Sequence, residues 1–572
     1  MHVVRKIASL LLTGAIACTL LAGCGGNSTT TGSTVPPKAS FTYAVTNLSV
    51  AFDASGSSAA IGGALTYAWN FGDSGTDTIA KPTHVYTAAG SYAVILVVTD
   101  TNASSVSRVQ TVTVTGGTPA GLENWAWMSG SKYANSFGVY ETQIVPSAAN
   151  QPSSRQSASS WTNAQGQMWL FGGSGEGSNA VTGVLNDLWR FDPTLGTSGE
   201  WTWVNGSNKA NAAGVYGTQG TAAATNMPGA RGAAASWTDA SGNFWLFGGA
   251  GYDSAGTYSN LNDMWMLNPL TGAAIWMTGS KTVNGAASYG VLGVASAANT
   301  PGARSYATSW TANGKLWLFG GATINAAGTA TVLLNDLWVF DPASKQWTWM
   351  GGSSTATNVA GVYGTQNTGS TANLPGGRVS AQSWTDASGN LWLFGGSGYD
   401  SAGTAGVLND MWSYNPTSGA WTWVTGSKTV SGASVWGTTL GTPAATYTPS
   451  ARLGSVGWTD PKTGMLWLFG GGGFGSIGIV TASVNELNDL WRFNPTTLQW
   501  AKMGGLDTLD GTGIYATALG NNPSNLSTPG ARMWSTGWVL ASGSFWLFGG
   551  AGVDSTVTLG FLNDLWNVQI QP

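Results

Sequence analysis

The chain has 572 residues and a formal net charge of −4, and only 8% of its residues are charged, against about 25% in an ordinary soluble globular protein. With 84 glycines and 31 tryptophans it is too aromatic for a disordered chain, which needs low hydrophobicity and high net charge. This composition favours many short strands joined by glycine-rich turns, and the length predicts several domains or a repeat array. No cluster of lysine and arginine follows the first six residues, so we expect no nucleic-acid partner.

The N-terminus has the pattern of a secretory signal. Arg5 and Lys6 precede an uncharged apolar stretch, residues 7–22, which is too short for a membrane-spanning helix. The stretch leads into Leu-Ala-Gly-Cys, which resembles the lipobox of bacterial lipoproteins and implies lipidation of Cys24. We therefore expect a lipoprotein signal peptide over 1–23 and a lipid anchor that holds the protein on the membrane, in the cell envelope at the outer membrane or cell surface. An ordinary secretory signal with an incidental cysteine is the alternative.

Cleavage of this signal would limit the chemistry of the mature chain. Cys18 and His2 would be lost, and Cys24 would carry the lipid, so His84 would be the one histidine left. Disulfides within one chain, cysteine nucleophiles and histidine-ligated metal sites are then excluded. We expect no cofactor and no metal.

A predicted domain follows a predicted linker. Residues 24–37 are rich in glycine, serine and threonine and predict a flexible tether. Strand-like alternation then runs over 38–117, where W-x-F-G-D, P-x-H-x-Y and G-x-Y-x-V occur in that order between residues 69 and 94. Together these motifs resemble the PKD domain, which implies an immunoglobulin-like β-sandwich and a structural role for His84.

The remainder, 118–572, contains six repeats. The string Trp-Leu-Phe-Gly-Gly recurs with its first glycine at 172, 248, 320, 395, 470 and 549. Each unit has an arginine, a tryptophan six residues later, this string, an Asn-Asp pair before Leu-Trp or Met-Trp, and usually Trp-x-Trp. Such intervals are typical of solenoids and propellers. The pattern resembles the kelch motif, which implies a β-propeller whose blades have four strands, a to d.

The two ends of the array complement each other. The last unit stops soon after Trp566 without a fourth strand, whereas an extra Trp-x-Trp, Trp125 to Trp127, stands before the first complete unit. We predict that these segments pair, which would remove the two exposed sheet edges of an open array. The predicted fold is therefore all-β, an immunoglobulin-like β-sandwich followed by a six-bladed kelch-type β-propeller closed by an N-terminal strand.

Loop lengths differ between the two faces of the predicted propeller. The a–b and c–d loops are short, whereas the b–c loop has about 13 to 17 residues and the d–a connection about 28. Successive loops of an antiparallel blade alternate between faces, so we predict both long loops on one face. Binding groups usually sit on loops held by a rigid scaffold, which makes this the expected functional face.

Each unit carries one arginine and one Asn-Asp pair, which permit two interpretations. The arginines could form a cationic ring that binds an acidic ligand, or each could pair with the nearby aspartate and lock the d–a connection. Strict repetition favours pairing, because a ligand rarely has sixfold symmetry. The repeated structural residues are Arg155, Arg231, Arg304, Arg378, Arg452 and Arg532 with Asp187, Asp263, Asp336, Asp410, Asp489 and Asp564. Repetition likewise indicates loop packing for Tyr140, Tyr216, Tyr289, Tyr363, Trp436 and Tyr515.

Residues that differ between units are better ligand-binding candidates. An exposed tyrosine beside an aspartate can stack on a sugar ring and accept its hydroxyl hydrogen bonds, or it can hold a glycine-rich loop together. The candidates on the b–c loops are Glu176, Tyr252, Asp253, Tyr399, Asp400, Phe474 and Asp554. Trp534 interrupts the small side chains of the innermost strands, and we expect it to plug the channel or to line its mouth.

These features favour a lipid-anchored, monomeric, non-catalytic protein that binds an extracellular glycan or protein on the long-loop face. Kelch propellers are similar to the catalytic domain of galactose oxidase, but its copper site needs histidines and a cysteine that this propeller lacks, so that activity is excluded. One alternative is a carboxylate-based glycan-active enzyme, a hydrolase or lyase, which needs two carboxyl groups about 5 to 10 Å apart. The other is a purely structural envelope or matrix protein.

Overall fold

A computed structural model divides the chain into two compact units, Met1–Thr115 and Gly116–Pro572. The predicted signal peptide, Cys24 and nearly all of the predicted tether lie outside the described residues. Within the described ranges, no helix is long and apolar enough to cross a bilayer. The described residues are 36–46, 49–60, 62–73, 75–86, 90–114, 123–325, 327–437, 439–474, 485–506, 509–516, 518–520 and 527–570.

The first unit is a pair of antiparallel sheets. Its strands are β1 (Thr42–Thr46), β2 (Ser49–Asp53), β3 (Thr66–Asn70), β4 (Thr76–Asp77), β5 (Thr83–Val85), β6 (Gly90–Thr99) and β7 (Ser105–Val114). One sheet has the order β1-β2-β5 and the other β4-β3-β6-β7. Val94, Leu96 and Val98 are buried because alternate side chains of a strand point to one face, and they pack with Trp69 in the core.

His84 packs against residues of its own unit. Its ring stacks on Phe71 with 4.2 Å between ring centroids, and its Nε2 lies 2.8 Å from a carboxylate oxygen of Asp73. These contacts tie β5 to the turn after β3, which fits the structural role that the PKD resemblance implies.

The second unit begins with β8 (Glu123–Ser129) and contains six antiparallel sheets. Sheet 1 contains β9 (Arg155–Gln156), β10 (Ser159–Thr162), β11 (Met168–Glu176), β12 (Thr182–Asp192) and β13 (Glu200–Asn205). Sheet 2 contains β14 (Arg231–Gly232), β15 (Ala235–Thr238), β16 (Phe244–Tyr252), β17 (Tyr258–Leu267) and β18 (Ala274–Thr278). Sheet 3 contains β19 (Thr308–Ala312), β20 (Lys315–Ile324), β21 (Thr331–Asp341) and β22 (Gln346–Gly351). Sheet 4 contains β23 (Arg378–Val379), β24 (Gln382–Thr385), β25 (Leu391–Tyr399), β26 (Ala405–Asn415) and β27 (Ala420–Thr425). Sheet 5 contains β28 (Arg452–Leu453), β29 (Val456–Thr459), β30 (Leu466–Gly473), β31 (Asn485–Asn494) and β32 (Gln499–Gly504). Sheet 6 contains β33 (Arg532–Met533), β34 (Thr536–Val539), β35 (Phe545–Val553) and β36 (Leu559–Ile570). Sheets of this size and strand order are consistent with propeller blades.

The N-terminal strand of this unit belongs to its last sheet. β8 pairs with β36, with Trp127 opposite Trp566 and Trp125 opposite Val568. Sheet 6 therefore obtains its fourth strand from the start of the unit, as the unpaired Trp-x-Trp predicted.

The Gly-Gly of each repeat is explained by a bulge in the b strand. In sheet 1, the pairing register shifts between Phe171 and Gly173, and Gly172 has a φ of 63°. A Cβ at Gly172 would lie 2.7 Å from the backbone oxygen of Arg231 in the next sheet. Only glycine permits this approach and this conformation without strain, so the pair sets how closely neighbouring sheets pack.

Tryptophan side chains connect the sheets in a cyclic order. The indole N–H of the tryptophan six residues after each arginine donates to a backbone oxygen in the b strand of the next sheet. Trp161 donates to Trp245 at 3.2 Å, and Trp538 of sheet 6 donates back to Trp169 of sheet 1 at 3.1 Å. The other four bonds, with lengths of 2.8 to 3.1 Å, are Trp237 to Trp317, Trp310 to Trp392, Trp384 to Trp467 and Trp458 to Trp546.

A second cycle, which we call the inner ring, lies on the innermost strands. One residue per sheet donates its backbone N–H to the backbone oxygen of its counterpart in the preceding sheet, at 2.6 to 3.1 Å, and the sheet-1 residue donates to the sheet-6 residue. All six have φ values of 53° to 63°, the left-handed region that non-glycine residues rarely adopt. The inner ring consists of Ser157, Ala233, Tyr306, Ser380, Gly454 and Trp534.

The long d–a connections do not lie wholly on one face, contrary to the prediction. In sheet 1, the N–H groups of Ile144 and Ser147 donate to the backbone oxygens of Trp203 and Trp201, at 2.8 and 3.2 Å. The tip of the connection therefore lies along the outer strand, β13, and equivalent bonds reach the outer strand of every other sheet. Since an outer strand exposes unpaired backbone groups, the insertion protects the sheet edge, which accounts for much of its length.

Candidate binding site

Each repeated arginine is buried in an ion pair with the aspartate of its own repeat. In sheet 1, the guanidinium of Arg155 contacts the carboxylate of Asp187 through Nη1–Oδ1 at 2.6 Å and Nη2–Oδ2 at 2.7 Å. Tyr140 from the d–a connection and Trp189 each donate to Oδ2 at 2.7 Å. The same pairing occurs in the other sheets, as Arg231–Asp263, Arg304–Asp336, Arg378–Asp410, Arg452–Asp489 and Arg532–Asp564.

Arg155 has no donor left for a ligand. The other N–H groups of Arg155 donate to the backbone oxygens of Ser153 and Gly172 and to the Ser153 hydroxyl, so all five of its donors are used. Burial and then the Asp187 charge raise the pKa of Tyr140 far above its ordinary value, so its hydroxyl remains a donor. The cationic ring is therefore wrong, because the charge is buried and neutralised within each sheet.

Sheet 5 holds its aspartate with different residues. Trp436 replaces the loop tyrosine, and Lys502 replaces the second tryptophan of Trp-x-Trp, with its Nζ 4.2 Å from the Trp436 ring centroid. Burial raises the pKa of Asp489, but the charge and hydrogen bonds of Arg452 and the charge of Lys502 bring it below its ordinary value. A buried ammonium thus takes over the stabilising role of the missing hydroxyl.

Three predicted ligand residues instead hold their own loops. Asp253 is 2% exposed, and its carboxylate accepts hydrogen bonds from the backbone N–H groups of Ala255, Thr257 and Val283, at 2.9 to 3.1 Å. Asp400 and Asp554 are equally buried and accept three equivalent bonds each. These aspartates clamp the b–c loop to the next d–a connection, so the structure does not offer them to a ligand.

The other b–c candidates have different positions. The Glu176 carboxylate accepts the hydroxyl of Thr182 at 2.9 Å within its own hairpin. Tyr252 is half-buried against Tyr258, with ring centroids 5.3 Å apart. The remaining two, Tyr399 and Phe474, are also half-buried, and the residues after Phe474 lie outside the described part.

Trp534 reaches across the inner ring. Its Nε1 lies 3.3 Å from the hydroxyl of Ser380, and its ring lies 6.0 Å from that of Tyr306 between centroids. A Cβ at Gly454 would lie 2.6 Å from the Trp534 ring, so that position must be glycine. Trp534 therefore contacts sheets 3, 4 and 5, as a plug would.

A cavity of 560 Å³ lies on the long-loop side of sheet 3. Sheet 3 departs from the loop clamp, since Ile324 and Asn325 stand where sheets 2 and 4 have tyrosine and aspartate. The Asn325 side-chain oxygen accepts the N–H groups of Thr329 and Ala330, which belong to its own loop. The cavity is lined by Asn284, Tyr289, Ile324, Asn325, Leu334 and Ser354, among others. It combines amide and hydroxyl groups with apolar surface, and its charged lining residue, Arg304, is buried in the ion pair with Asp336.

Sequence patterns could have located these features. Asp-Ser-Ala-Gly-Thr after both Tyr252 and Tyr399 is typical of a turn in which an aspartate binds its own backbone. The aspartate of that string is absent after Ile324, as it is after Glu176 and Phe474, which would have identified sheet 3 as one of three repeats without this clamp. Nowhere in the described ranges do three or more His, Cys, Asp or Glu side chains come together as a metal centre requires.

Comparison with known proteins identifies the first unit. The family model for the PKD domain matches residues 34–116. The chain is 41% identical over 87 residues to the pre-pro-metalloprotease PrtV of Vibrio cholerae and 39% identical over 70 residues to the collagenase ColA of Bacillus cereus. These matches cover 15% and 12% of this chain and 9% and 7% of the relatives, so the chain spans less than a tenth of their length.

Two solved structures match different parts of the chain. The PKD1 domain of the Vibrio cholerae metalloprotease PrtV is 42% identical, and the match covers 98% of that chain and 14% of this one with a TM-score of 0.14. The structure of YjhT is 16% identical, and the match covers 99% of that chain and 75% of this one with a TM-score of 0.41. Residues 34–116, which the family model matches, form a PKD domain.

Proposed function

We propose that this chain is a lipid-anchored cell-envelope protein whose PKD domain carries a closed, six-bladed, kelch-type propeller, and that the propeller binds an extracellular glycan without catalysis. The pairing of β8 with β36 and the two cyclic sets of hydrogen bonds support closure. The lipobox at Cys24 supports the anchor. A PKD domain is also the part of the chain that is similar to the metalloprotease and the collagenase named above.

The sheet-3 cavity is the observation that carries the binding proposal. Its volume lies within the range of about 300–1,000 Å³ that is usual for small-ligand sites. Its amides and hydroxyls can exchange hydrogen bonds with sugar hydroxyls, and Leu334 and Ile324 supply apolar surface for a ring. Such a lining suits a neutral sugar better than a charged ligand.

A glycan array with the purified protein, followed by titration calorimetry, tests this proposal. The double substitution Ile324→Tyr with Asn325→Asp restores the clamp of sheets 2 and 4 and should abolish binding while leaving the melting temperature unchanged. The matched control, Tyr399→Ile with Asp400→Asn, removes the clamp from sheet 4 and should leave the sheet-3 affinity unchanged. A protein that binds no glycan on the array would instead support the structural role, and equal binding by both variants would exclude this cavity.

A second candidate function, a glycan-active hydrolase or lyase, is favoured by one carboxyl pair. Glu486 at the start of β31 is 6% exposed, and burial followed by the neighbouring Asp510 carboxylate raises its pKa to about 7. Glycoside hydrolysis uses a proton donor with such a pKa and a second carboxyl about 5 to 10 Å away. Asp510 shares a hydrogen bond with Glu486, so in this candidate it holds the proton on Glu486 and does not act as the second catalytic carboxyl. Glu486→Gln should then abolish release of reducing ends from any glycan that the array identifies, without weakening its binding.

A further inference from the structure

We propose a second ligand site, for a carboxylate carried on a ring of monosaccharide size, on the short-loop side between sheets 5 and 6. This goes beyond the proposed function, since it lies on the other face and takes a charged ligand. A cavity of 490 Å³ opens there, lined by Asp460, Lys462, Met465, Trp467, Arg492 and Phe545, among others. It is formed by the a–b turns of both sheets and the outer part of sheet 5.

Arg492 is the group that would bind the carboxylate. It lies on β31 opposite Trp467, with its guanidinium 5.8 Å from that ring centroid, and it is half-buried. In the described part of the chain it has no carboxylate within ion-pair distance, and its one hydrogen bond, to the Gly441 oxygen, is long at 3.5 Å. Burial lowers its pKa, which reflects lost hydration without a compensating anion. A guanidinium fork with unused donors matches a carboxylate in a bidentate geometry.

Asp460 offsets one of the two positive charges of this cavity but forms no ion pair with Arg492 or Lys462 among the described residues. Its Oδ1 accepts the backbone N–H of Lys462 at 2.9 Å, and its Oδ2 accepts the hydroxyl of Thr463 at 2.5 Å. In sheet 2, by contrast, the equivalent Asp239 accepts the indole N–H of Trp245 at 2.8 Å. The carboxylate of sheet 5 is used within its own turn.

Lys462 adds a second positive charge at the rim. Its Nζ lies 3.1 Å from where a Cβ of Gly543 would stand, so the lysine stem crosses from sheet 5 to the a–b turn of sheet 6 over a glycine that leaves room for it. Met465 and Phe545 supply apolar surface beneath these cations. The cavity therefore offers two cations above an apolar floor, which suits an acidic ring.

The groove between sheets 2 and 3 provides an internal comparison. It has a similar volume, 440 Å³, and the same place in the repeat, but Met266 occupies the position of Arg492. Two lysines line it, Lys315 and Lys345, and Lys315 is already paired with Asp341 at 2.7 Å. An unpaired arginine thus distinguishes the sheet-5 cavity from an equivalent groove that lacks one.

Titration of the purified protein with D-glucuronate and with D-glucose, by calorimetry or NMR, tests the proposal. In the Ile324→Tyr, Asn325→Asp background, whose sheet-3 cavity is closed, glucuronate should bind and glucose should not. In the same background Arg492→Met, which installs the residue of sheet 2, should weaken glucuronate binding by at least about tenfold. Arg190 has the equivalent position in sheet 1, opposite Trp169, but its charge acts on the nearby Asp192 carboxylate, where sheet 5 has Asn494. Arg190→Met is therefore the matched control and should leave the affinity unchanged. Equal binding of both sugars, no binding of glucuronate, or an unchanged affinity of Arg492→Met would each overturn it. The Ile324→Tyr, Asn325→Asp variant should bind glucuronate normally, which separates this site from the glycan site.

Discussion

Each buried arginine of the repeat is neutralised by one carboxylate and also donates to two backbone oxygens, so it connects the inner strand, the b strand and the d–a connection. A buried ion pair contributes little net stability, because desolvation offsets the attraction. Breaking the pair is different, since the remaining charge stays buried without a partner. The repeat therefore tolerates loss of the whole pair better than loss of one member.

We expect Asp263→Asn to destabilise the second unit by about 3–5 kcal/mol, because Arg231 would keep its charge in a site with no exposure. Denaturant unfolding followed by tryptophan fluorescence measures the change. Asp341→Asn, which breaks the partly exposed pair with Lys315, is the control and should cost about 1 kcal/mol or less. Similar losses for both variants would contradict the account of the buried pairs.

Glu486 gives the second unit a pH-dependent stability. Its pKa is raised from 4.5 to about 7 in the folded state, so the folded chain holds a proton that the unfolded chain releases between these values. The stabilisation is fully present below pH 4.5 and is lost as the pH rises through 7. At pH 8 we expect the Glu486→Gln variant to be more stable than the parent, by about 1–2 kcal/mol of unfolding free energy, and so to melt at a higher temperature. At pH 4 we expect the two proteins to melt at the same temperature.

Thermal melts at both pH values check this expectation. Glu141→Gln removes one exposed carboxylate from a d–a connection and controls for the change in net charge. A Glu486→Gln variant whose melting temperature followed that of the parent at every pH would show that the carboxyl pair is not protonated near neutral pH.

Among the elements, β8 is the one strand that comes from the opposite end of its unit. Trp125, Ala126 and Met128 of this strand are buried, and without them β36 would present an open edge. We expect replacement of residues 123–129 by a glycine-serine linker to cost at least about 5 kcal/mol and to promote aggregation. Light scattering and thermal melts measure both effects.

A peptide containing residues 121–131 should restore the melting temperature of this variant in trans, and a scrambled peptide of the same composition should not. Restoration by both peptides, or an unchanged melting temperature of the linker variant, would contradict the assignment of β8 as the closing strand.

For the molecule as a whole, the repeat pattern predicted the fold better than the residue types predicted the binding site. The repeat spacing and the unpaired Trp-x-Trp predicted the strand content and the β8–β36 pairing, because hydrogen-bonded edges must find partners. Whether a carboxylate binds a ligand or holds its own loop depends on its position in three dimensions. The sequence therefore permitted both roles for Asp253, Asp400 and Asp554. Arg492 and Glu486 were missed, since each departs from its repeat at a position that only the strand register identifies.

Charge is distributed unusually in this chain. Six of its 21 basic residues and six of its 25 acidic residues are buried as pairs in the second unit. The surface of that unit is therefore even poorer in ions than the composition suggests, and contact with water rests largely on serine, threonine, asparagine and backbone groups. Salt should consequently have little effect on its association with neutral partners.

The inner ring has a consequence for how this architecture can change. Every member both gives and receives one main-chain bond, so the circuit has no first or last position. Removing a single repeat would orphan a donor and an acceptor at the axis, whereas shifting the chain termini to another d–a connection would leave the circuit whole. Circular permutants should accordingly fold, and single-repeat deletions should not. The number of repeats is therefore fixed, whereas the position of the chain termini can change.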